Sequence, residues 1–336
     1  MSRPWHPQIG AVLDHGSIAY LAVGTRAGPH VTPLVYATLA SRMWVTTARR
    51  TVKGRVWRIR PRVAGLVRAG DHSVTFTGKV RLHDVFNPAT WLGTAVEFPV
   101  VAAAMTAFTK RNARFFAGYA ADARRVPLSW TPPGRVFAEI SIDASALLED
   151  WGEPPRAFGR MGETLRSHGS FRTGRAAQSP IDQVPDEVVA EIERGGQAVM
   201  AVDGADGPVV LPVLFVEERG VLYAAVEAHS LALAEAGPDA PVGLTIDHAS
   251  RWRAADMTGV LIRGTGSFHV ISRLRSGRAA AERLVERAGA LPDGMALVRI
   301  HPRRLVWWKG WGSGTVALDA RGRVSTEAGR EPIWGT

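Results

Sequence analysis

Residues 45–54 read VTTARRTVKG and combine the residue types that hold a phosphate group. Threonine hydroxyls donate hydrogen bonds to phosphate oxygens, while arginine and lysine add positive charge. The following GRVWRIR looks helical, so its first free N–H groups would face the same anion. A solvated basic loop is the alternative interpretation. The candidate phosphate ligands are Thr46, Thr47, Arg50, Thr51 and Lys53.

Composition favours a globular chain of two domains over a nucleic-acid binder. The chain has 336 residues, 46% of them hydrophobic, which is enough for two cores. Its net charge is +10, but the arginines are scattered along both halves without a block of like charges. Only Trp44 and Trp57 lie near the basic cluster, whereas single-stranded nucleic acid needs several stacking aromatic residues. We therefore expect no nucleic-acid partner.

Several kinds of site are absent from the sequence. The chain has no cysteine, which excludes disulfides, iron–sulfur clusters and a thiol nucleophile. Its ten histidines form no H-x-H or H-E-x-x-H pattern, so we expect no metal site. The start of the chain lacks a signal-peptide pattern, and the most apolar stretch, residues 98–108, is too short to span a bilayer. These observations predict a cytoplasmic protein without a membrane partner.

The two halves of the chain repeat one pattern. Residues 9–47 and 188–226 each read as a short helix, an apolar strand, a Gly-Pro turn, a strand with an internal proline and a further apolar strand. Pro33 matches Pro212 at an offset of 179 residues, and later in the repeat Gly78 matches Gly264 as a glycine that interrupts a strand. In the closing strands, Ile142 matches Ile300.

Short strands with glycine and proline at their turns predict a mainly β (α+β) fold of two small antiparallel barrels with peripheral helices. The predicted domains are 1–152 and 186–336, joined by a linker at 153–185 that is rich in Gly, Arg, Ser and Pro. An insert after residue 87 reads as one or two helices, and the second half has only a shorter helical segment at this place, residues 272–291.

The ordered series of motifs resembles the flavin-binding split barrels of the pyridoxamine 5′-phosphate oxidase-like superfamily. It consists of GPHVTP at residues 28–33, the aromatic strand 44–47, Thr51 with Lys53, and Arg60-Pro61. The resemblance covers residues 10–85 well and the second half in outline. It implies two split barrels arranged as a pseudo-dimer within one chain, functioning as a monomer or a homodimer, with a cofactor in the groove between them.

The resemblance also implies further cofactor contacts. Thr32 and Pro33 would meet the edge of the ring system, and Tyr36, Trp308 and Trp311 would form pocket walls. Core packing is the alternative for the tryptophans. No catalytic residue is predicted, because a flavin carries hydride chemistry itself.

The second copy has lost most of the phosphate-binding residues. In an ungapped alignment Thr47, Arg50 and Lys53 fall on Val226, His229 and Ala232, and only Thr51 keeps a hydroxyl, at Ser230. We therefore expect one cofactor site per chain.

The resemblance leaves two functions open. The first is an oxidoreductase that uses flavin mononucleotide (FMN) or a deazaflavin on a small organic substrate. The second is a non-catalytic protein that sequesters or senses a flavin, a deazaflavin or haem.

Overall fold

The computed structural model describes most of the chain and shows that it is built mainly of β-strands. The described residues are 4–84, 87, 95–122, 124, 134–149, 153–159, 161, 180–236, 239–248, 254–270, 278–288, 291, 294–318 and 323–329.

The first half forms a closed antiparallel barrel of six strands. The spatial order is β3-β2-β1-β4-β5-β6, and β3 pairs with β6 to close the barrel, with β7 added outside β6. The strands are β1 (Ile18–Thr25), β2 (Gly28–Leu39), β3 (Arg42–Ala48), β4 (Arg62–Ala69), β5 (His72–His83), β6 (Arg135–Leu148) and β7 (Arg156–Phe158).

The second half repeats this topology. The order is β10-β9-β8-β11-β12-β13, the β10–β13 pair closes the barrel, and β14 and β15 extend the sheet. The strands are β8 (Gly196–Gly204), β9 (Gly207–Glu218), β10 (Val221–Glu227), β11 (Asp239–His248), β12 (Thr258–Val270), β13 (Met295–Lys309), β14 (Gly312–Leu318) and β15 (Val324–Gly329). The predicted tandem of two split barrels is therefore confirmed.

The two glycines that interrupt strands lie at β-bulges, as the sequence predicted. Register shifts occur at Thr77/Gly78 and at Arg263/Gly264. A Cβ atom on Gly78 would lie 2.3 Å from the Ser141 carbonyl oxygen, and one on Gly264 would lie 2.0 Å from the His301 carbonyl oxygen. Both positions need glycine because the neighbouring strand approaches too closely for a side chain.

The predicted match between the closing strands is wrong by two residues. Met43 pairs with Ile140, and its counterpart Leu222 pairs with Ile300. The equivalent of Ile300 is therefore Ile140, and not Ile142. A slip of two residues keeps every side chain on the same face of the strand, so the apolar alternation cannot reveal it.

Helices close the ends of the barrels and cover their sides. They are α1 (Pro7–His15), α2 (Val52–Ile59), α3 (Phe98–Arg111), α4 (Ala113–Ala121), α5 (Asp186–Arg194), α6 (Ala228–Ala232) and α7 (Arg278–Ala288). The predicted helical insert corresponds to α3 and α4. None of the helices in the described ranges has the length and hydropathy that a membrane crossing requires.

The two barrels share one apolar core across their interface. Ala22, Val31 and Leu66 of the first barrel belong to the same buried cluster as most core residues of the second. Polar contacts flank this cluster: the Thr245 hydroxyl donates to the Val31 carbonyl at 2.7 Å, and the Tyr20 hydroxyl donates to Asp247 at 3.3 Å. The chain thus folds as an intramolecular pair of barrels.

Part of the predicted linker belongs to the first sheet. Strand β7, at Arg156–Phe158, pairs with β6, and a 3-10 turn at Pro180–Gln183 precedes α5. Residues 162–179 of the predicted linker lie outside the described residues.

Candidate functional site

The turn between β3 and α2 presents a helix N-terminus to a group of buried hydroxyls. Thr51 is the N-cap of α2, and its hydroxyl accepts a hydrogen bond from the Gly54 N–H at 3.0 Å. The Thr47 and Thr51 hydroxyl oxygens lie 3.2 Å apart. A Cβ atom on Gly54 would lie 2.8 Å from the Ala48 carbonyl oxygen. Glycine at position 54 therefore lets the helix begin directly against the end of β3.

Lys53 is a fully buried cation in this group. Its side chain has 0% exposure, and its amine donates a hydrogen bond to the Thr32 hydroxyl. No ion pair of the described residues includes Lys53. Burial lowers the pKa of Lys53 to about 7, because a charged amine loses its hydration there. An anion that enters the group would restore the charged form.

Successive side chains of strand β3 point to opposite faces of the sheet. Thr47 lies on the face of Met43 and Val45, which are buried in the core of the first barrel. Thr46 lies on the opposite face, where it accepts a hydrogen bond from Arg135 Nε at 2.6 Å. The structure therefore brings Lys53 to Thr32 and Thr47 to Thr51, and it places Thr46 on the other side of the strand.

The two arginines of the turn differ in their surroundings. Arg49 forms an ion pair with Asp84 at 2.6 Å, and Arg58 binds the same buried carboxylate at 3.1 Å. Arg50 is exposed, and no ion pair of the described residues includes it. Arg50 is thus the arginine of the turn that remains available to an incoming anion.

A second group of residues joins the turn to the insert and to the second barrel. Arg135 also donates to the Thr46 carbonyl at 2.9 Å, and desolvation lowers its pKa. Burial raises the pKa of the Tyr119 hydroxyl, which lies near Arg135, and the Trp311 ring packs edge-on against Tyr119 at 5.3 Å. The predicted wall residue Trp311 therefore does reach the first half of the chain.

Arg135 and Tyr119 are not among the residues that the sequence predicts for the site. Arg135 pairs with Ala48 in the β3–β6 register, so barrel closure alone brings it to the turn. No local pattern marks either residue, since both are far from residues 45–54 in the sequence.

The other predicted wall residues are buried in cores. Tyr36 has 0% exposure and donates to the Leu13 carbonyl at 2.6 Å, which fixes α1 on the first barrel. The Arg111 guanidinium lies 4.8 Å from its ring centre. Trp308 is fully buried in the shared core against Gly259. Pro33 is also buried and pairs with Tyr20 across β1 and β2.

The corresponding turn of the second barrel is filled by a carboxylate of the chain itself. Glu227, which stands where the first copy has Ala48, caps α6 and accepts hydrogen bonds from the N–H groups of His229 at 2.9 Å and Ser230 at 2.5 Å. A cavity of about 50 Å³ remains beside it, lined partly by Arg68 and Pro212. The second turn therefore has its own anion and lacks the lysine.

A larger cavity of about 870 Å³ lies elsewhere between the barrels. Its lining includes Arg60 and Arg62 after α2, the bulge at Gly78 and the β8–β9 hairpin around Asp206. Its size suits a small molecule, but none of the buried residues around Lys53 lines it.

A scan of protein-family models finds no match to this chain, and neither does a search of curated proteins. Solved structures match less than half of this chain. A pyridoxamine 5′-phosphate oxidase-related, FMN-binding protein from Nostoc punctiforme is 17% identical, with 46% of this chain and 88% of that chain covered and a TM-score of 0.35.

Two further matches have the same extent. An FAD-binding protein from Mesorhizobium loti is 20% identical, with 43% and 95% covered and a TM-score of 0.31. An F420 reductase is 18% identical, with 40% and 93% covered and a TM-score of 0.27. At these identities and TM-scores the matches do not indicate a function for this chain.

Proposed function

We propose that the first barrel binds a phosphate-bearing redox cofactor of the flavin type, and that the protein is an oxidoreductase. FMN is the first candidate and a deazaflavin the second. The observation that carries the proposal is Lys53, a fully buried amine at the start of α2 with no carboxylate partner among the described residues.

The residues around Lys53 fit a phosphate group. The Thr47 and Thr51 hydroxyls and the first N–H groups of α2 supply donors at the turn, and the amine of Lys53, the second residue of α2, would supply charge. In the absence of an anion, burial of the lysine is unfavourable by several kcal/mol. A phosphate offsets this cost, because it pairs with the amine and exchanges its own hydration for hydrogen bonds from the turn.

The chain's contribution to chemistry would be positioning and the exclusion of water. A bound flavin or deazaflavin would supply hydride transfer itself. Lys53 would hold the phosphate as a protonated amine after displacing its contact with Thr32, and Arg50 would add charge at the exposed side. Tyr119 and Trp311 would shield the outer face of the turn from solvent.

The absorption spectrum of the purified chain tests the proposal. We expect a chromophore that is released on denaturation as FMN or a deazaflavin, is bleached by a reductant and recovers with an electron acceptor. Lys53→Met should be purified folded and colourless. The absence of a chromophore, together with no uptake of either compound by the purified chain, would refute cofactor binding. Uptake without reversible bleaching would instead support a non-catalytic binding protein.

A further inference from the structure

We propose a second site, a binding site for a divalent transition metal ion formed by His83, Glu97 and Glu139. The site belongs to the first barrel and is independent of the proposed cofactor. One ligand atom from each of the three side chains lies within 4.8 Å of the other two. An imidazole with two carboxylates is a donor set that suits Zn²⁺, Mn²⁺ or Fe²⁺.

Three elements of the fold bring these residues together. His83 ends β5, Glu139 lies on β6 opposite Trp44 of β3, and Glu97 immediately precedes α3. The Trp44 ring stacks on the His83 ring at 5.7 Å between centroids, which holds the imidazole in place. The His83 Nε2 atom lies 3.5 Å from Glu139 Oε2.

In both glutamates, one carboxylate oxygen has an arginine partner and the other oxygen is buried without one in the described part of the chain. Glu139 Oε1 binds Arg42 at 2.5 Å, and Glu97 Oε1 binds Arg81. The Oε2 atom of each glutamate is buried and accepts no hydrogen bond from the described residues. Glu139 as a whole is only 4% exposed. A buried carboxylate oxygen without a donor is costly, and a cation between the two Oε2 atoms removes that cost.

In this arrangement, arginine side chains already hold the carboxylates of Glu97 and Glu139 through the oxygens that would not bind the metal. Ligating carboxylates in metal sites are commonly held through their second oxygen, and here Arg42 and Arg81 do so. Metal–nitrogen and metal–oxygen bonds of about 2.0–2.2 Å would require each side chain to move by roughly 1 Å or less. Because Glu97 begins the insert and the other two ligands belong to the barrel, a bound ion would fasten the insert to the barrel.

The proposed metal site is the opposite of the expectation from the sequence, which was that the chain has no metal site. His83, Glu97 and Glu139 are far apart in the chain and match no metal-binding spacing. Barrel closure and the return of the chain at α3 create the group, so spacing could not reveal it.

Titration of the chelator-treated full chain with Zn²⁺ tests the site. We expect about one equivalent to bind at roughly micromolar concentration, and Glu97→Gln to weaken binding by about 10-fold or more. Glu149→Gln is the matched control, because Glu149 is 26% exposed and pairs with Arg156, much as Glu97 is 28% exposed and pairs with Arg81. Co²⁺ in place of Zn²⁺ should give a d–d absorption that Glu97→Gln alters.

The same titration can overturn the inference. Failure of the chelator-treated chain to bind Zn²⁺ or Mn²⁺ would do so. Equal Zn²⁺ binding by Glu97→Gln, Glu139→Gln and the wild-type chain would also do so, because the ion would then be held by other histidines. Since Glu97→Gln replaces a partly exposed side chain with one of the same shape, its thermal unfolding should match that of Glu149→Gln when both are free of metal.

Discussion

The β3–α2 turn and the β10–α6 turn end equivalent strands, yet they satisfy their helix N-termini in opposite ways. In the second barrel Glu227 places a carboxylate on the N–H groups of His229 and Ser230. In the first barrel Ala48 offers no side-chain anion, and Lys53, the second residue of α2, is fully buried. One copy has an internal anion and no lysine, and the other has the lysine and no internal anion.

This difference shows that the two copies of a duplicated fold can have different chemistry in the turns that follow equivalent strands. Both turns retain a hydroxyl at the same aligned position, but Thr51 is the N-cap of α2, whereas Ser230 lies inside α6, which begins earlier in the repeat and is capped by Glu227. The substitutions Ala48/Glu227 and Lys53/Ala232 together reverse the charge at the helix N-terminus. The second turn carries its own carboxylate, whereas under the proposed function the anion at the first turn would be the cofactor phosphate.

The largest expected effect comes from Lys53→Met. The shift of the lysine pKa from 10.5 to about 7 corresponds to roughly 5 kcal/mol at about 1.36 kcal/mol per pKa unit. An apolar side chain of similar length avoids that cost, so the cofactor-free variant should be more stable by roughly 2–4 kcal/mol at pH 6. Cofactor affinity should fall about 100-fold. Thermal unfolding and equilibrium binding measure the two effects.

The same substitution changes how stability depends on pH. Between pH 7 and 10.5 the unfolded chain binds a proton at Lys53 that the folded chain lacks, so this group makes stability rise with pH. Below pH 7 its contribution is constant and at its most unfavourable. In Lys53→Met that part of the rise should disappear, and an unchanged pH profile would mean that Lys53 is not buried as an isolated amine.

Cofactor affinity should itself depend on pH. Since the amine titrates near pH 7 in the cofactor-free chain, phosphate binding requires proton uptake above that pH. We expect affinity to fall up to about tenfold per pH unit from pH 7 to 9. The slope should be absent in the residual binding of Lys53→Met. A flat profile in the wild-type chain would contradict contact between the phosphate and Lys53.

Thr51→Ala and Ser230→Ala form a matched pair across the two copies. Loss of the Thr51 cap should cost about 1 kcal/mol in stability and lower cofactor affinity by roughly tenfold, since a donor to the phosphate is removed. Ser230→Ala should leave cofactor affinity unchanged. Equal effects of the two substitutions on binding would contradict the assignment of the site to the first barrel.

Glu227→Ala tests the second turn. Its removal leaves the N–H groups of His229 and Ser230 without the carboxylate, at a cost of about 1–2 kcal/mol that thermal unfolding would measure. Cofactor binding should not change. The double variant Glu227→Ala/Ala232→Lys should bind inorganic phosphate weakly. Phosphate binding by Glu227→Ala alone would show that a lysine at position 232 is not needed.

Arg50→Ala and Arg49→Ala should show the smallest effects and separate binding from stability. Arg50 is exposed, so its loss should lower affinity only about two- to fivefold. Arg49 pairs with the buried Asp84, so its loss should reduce stability by about 1 kcal/mol and leave affinity unchanged. A larger loss of cofactor affinity in Arg49→Ala than in Arg50→Ala would show that Arg49, and not Arg50, binds the phosphate.

The fold could be predicted from the sequence because both halves of the chain carry the same order of strands and turns. The Gly-Pro turns, the internal prolines and the strand glycines Gly78 and Gly264 recur at matched positions, and each has a local physical meaning. The closing strand was misplaced by two residues because its pairing with β3 is long-range. Apolar alternation cannot distinguish registers that differ by two residues.

The candidate site could be predicted only in part. Lys53 and Thr51 belong to one local turn, so the sequence already placed them together. The division of Thr46 and Thr47 between two faces follows from strand alternation, but which face is buried depends on the closed barrel. The position of Arg135 arises from the pairing of β3 with β6, and the group of His83, Glu97 and Glu139 arises from contacts between two strands and the start of the insert; no local pattern records either.

The stoichiometry of cofactor binding tests the central claim most directly. The cofactor-free chain would be titrated with FMN, and separately with a deazaflavin, while absorbance and tryptophan fluorescence are followed in the wild-type chain, Lys53→Met and Ser230→Ala. We predict one bound cofactor per chain in the wild type and in Ser230→Ala, and little or none in Lys53→Met at the same concentrations. Two cofactors per chain, or full binding by Lys53→Met, would contradict a single anion site built around the first turn.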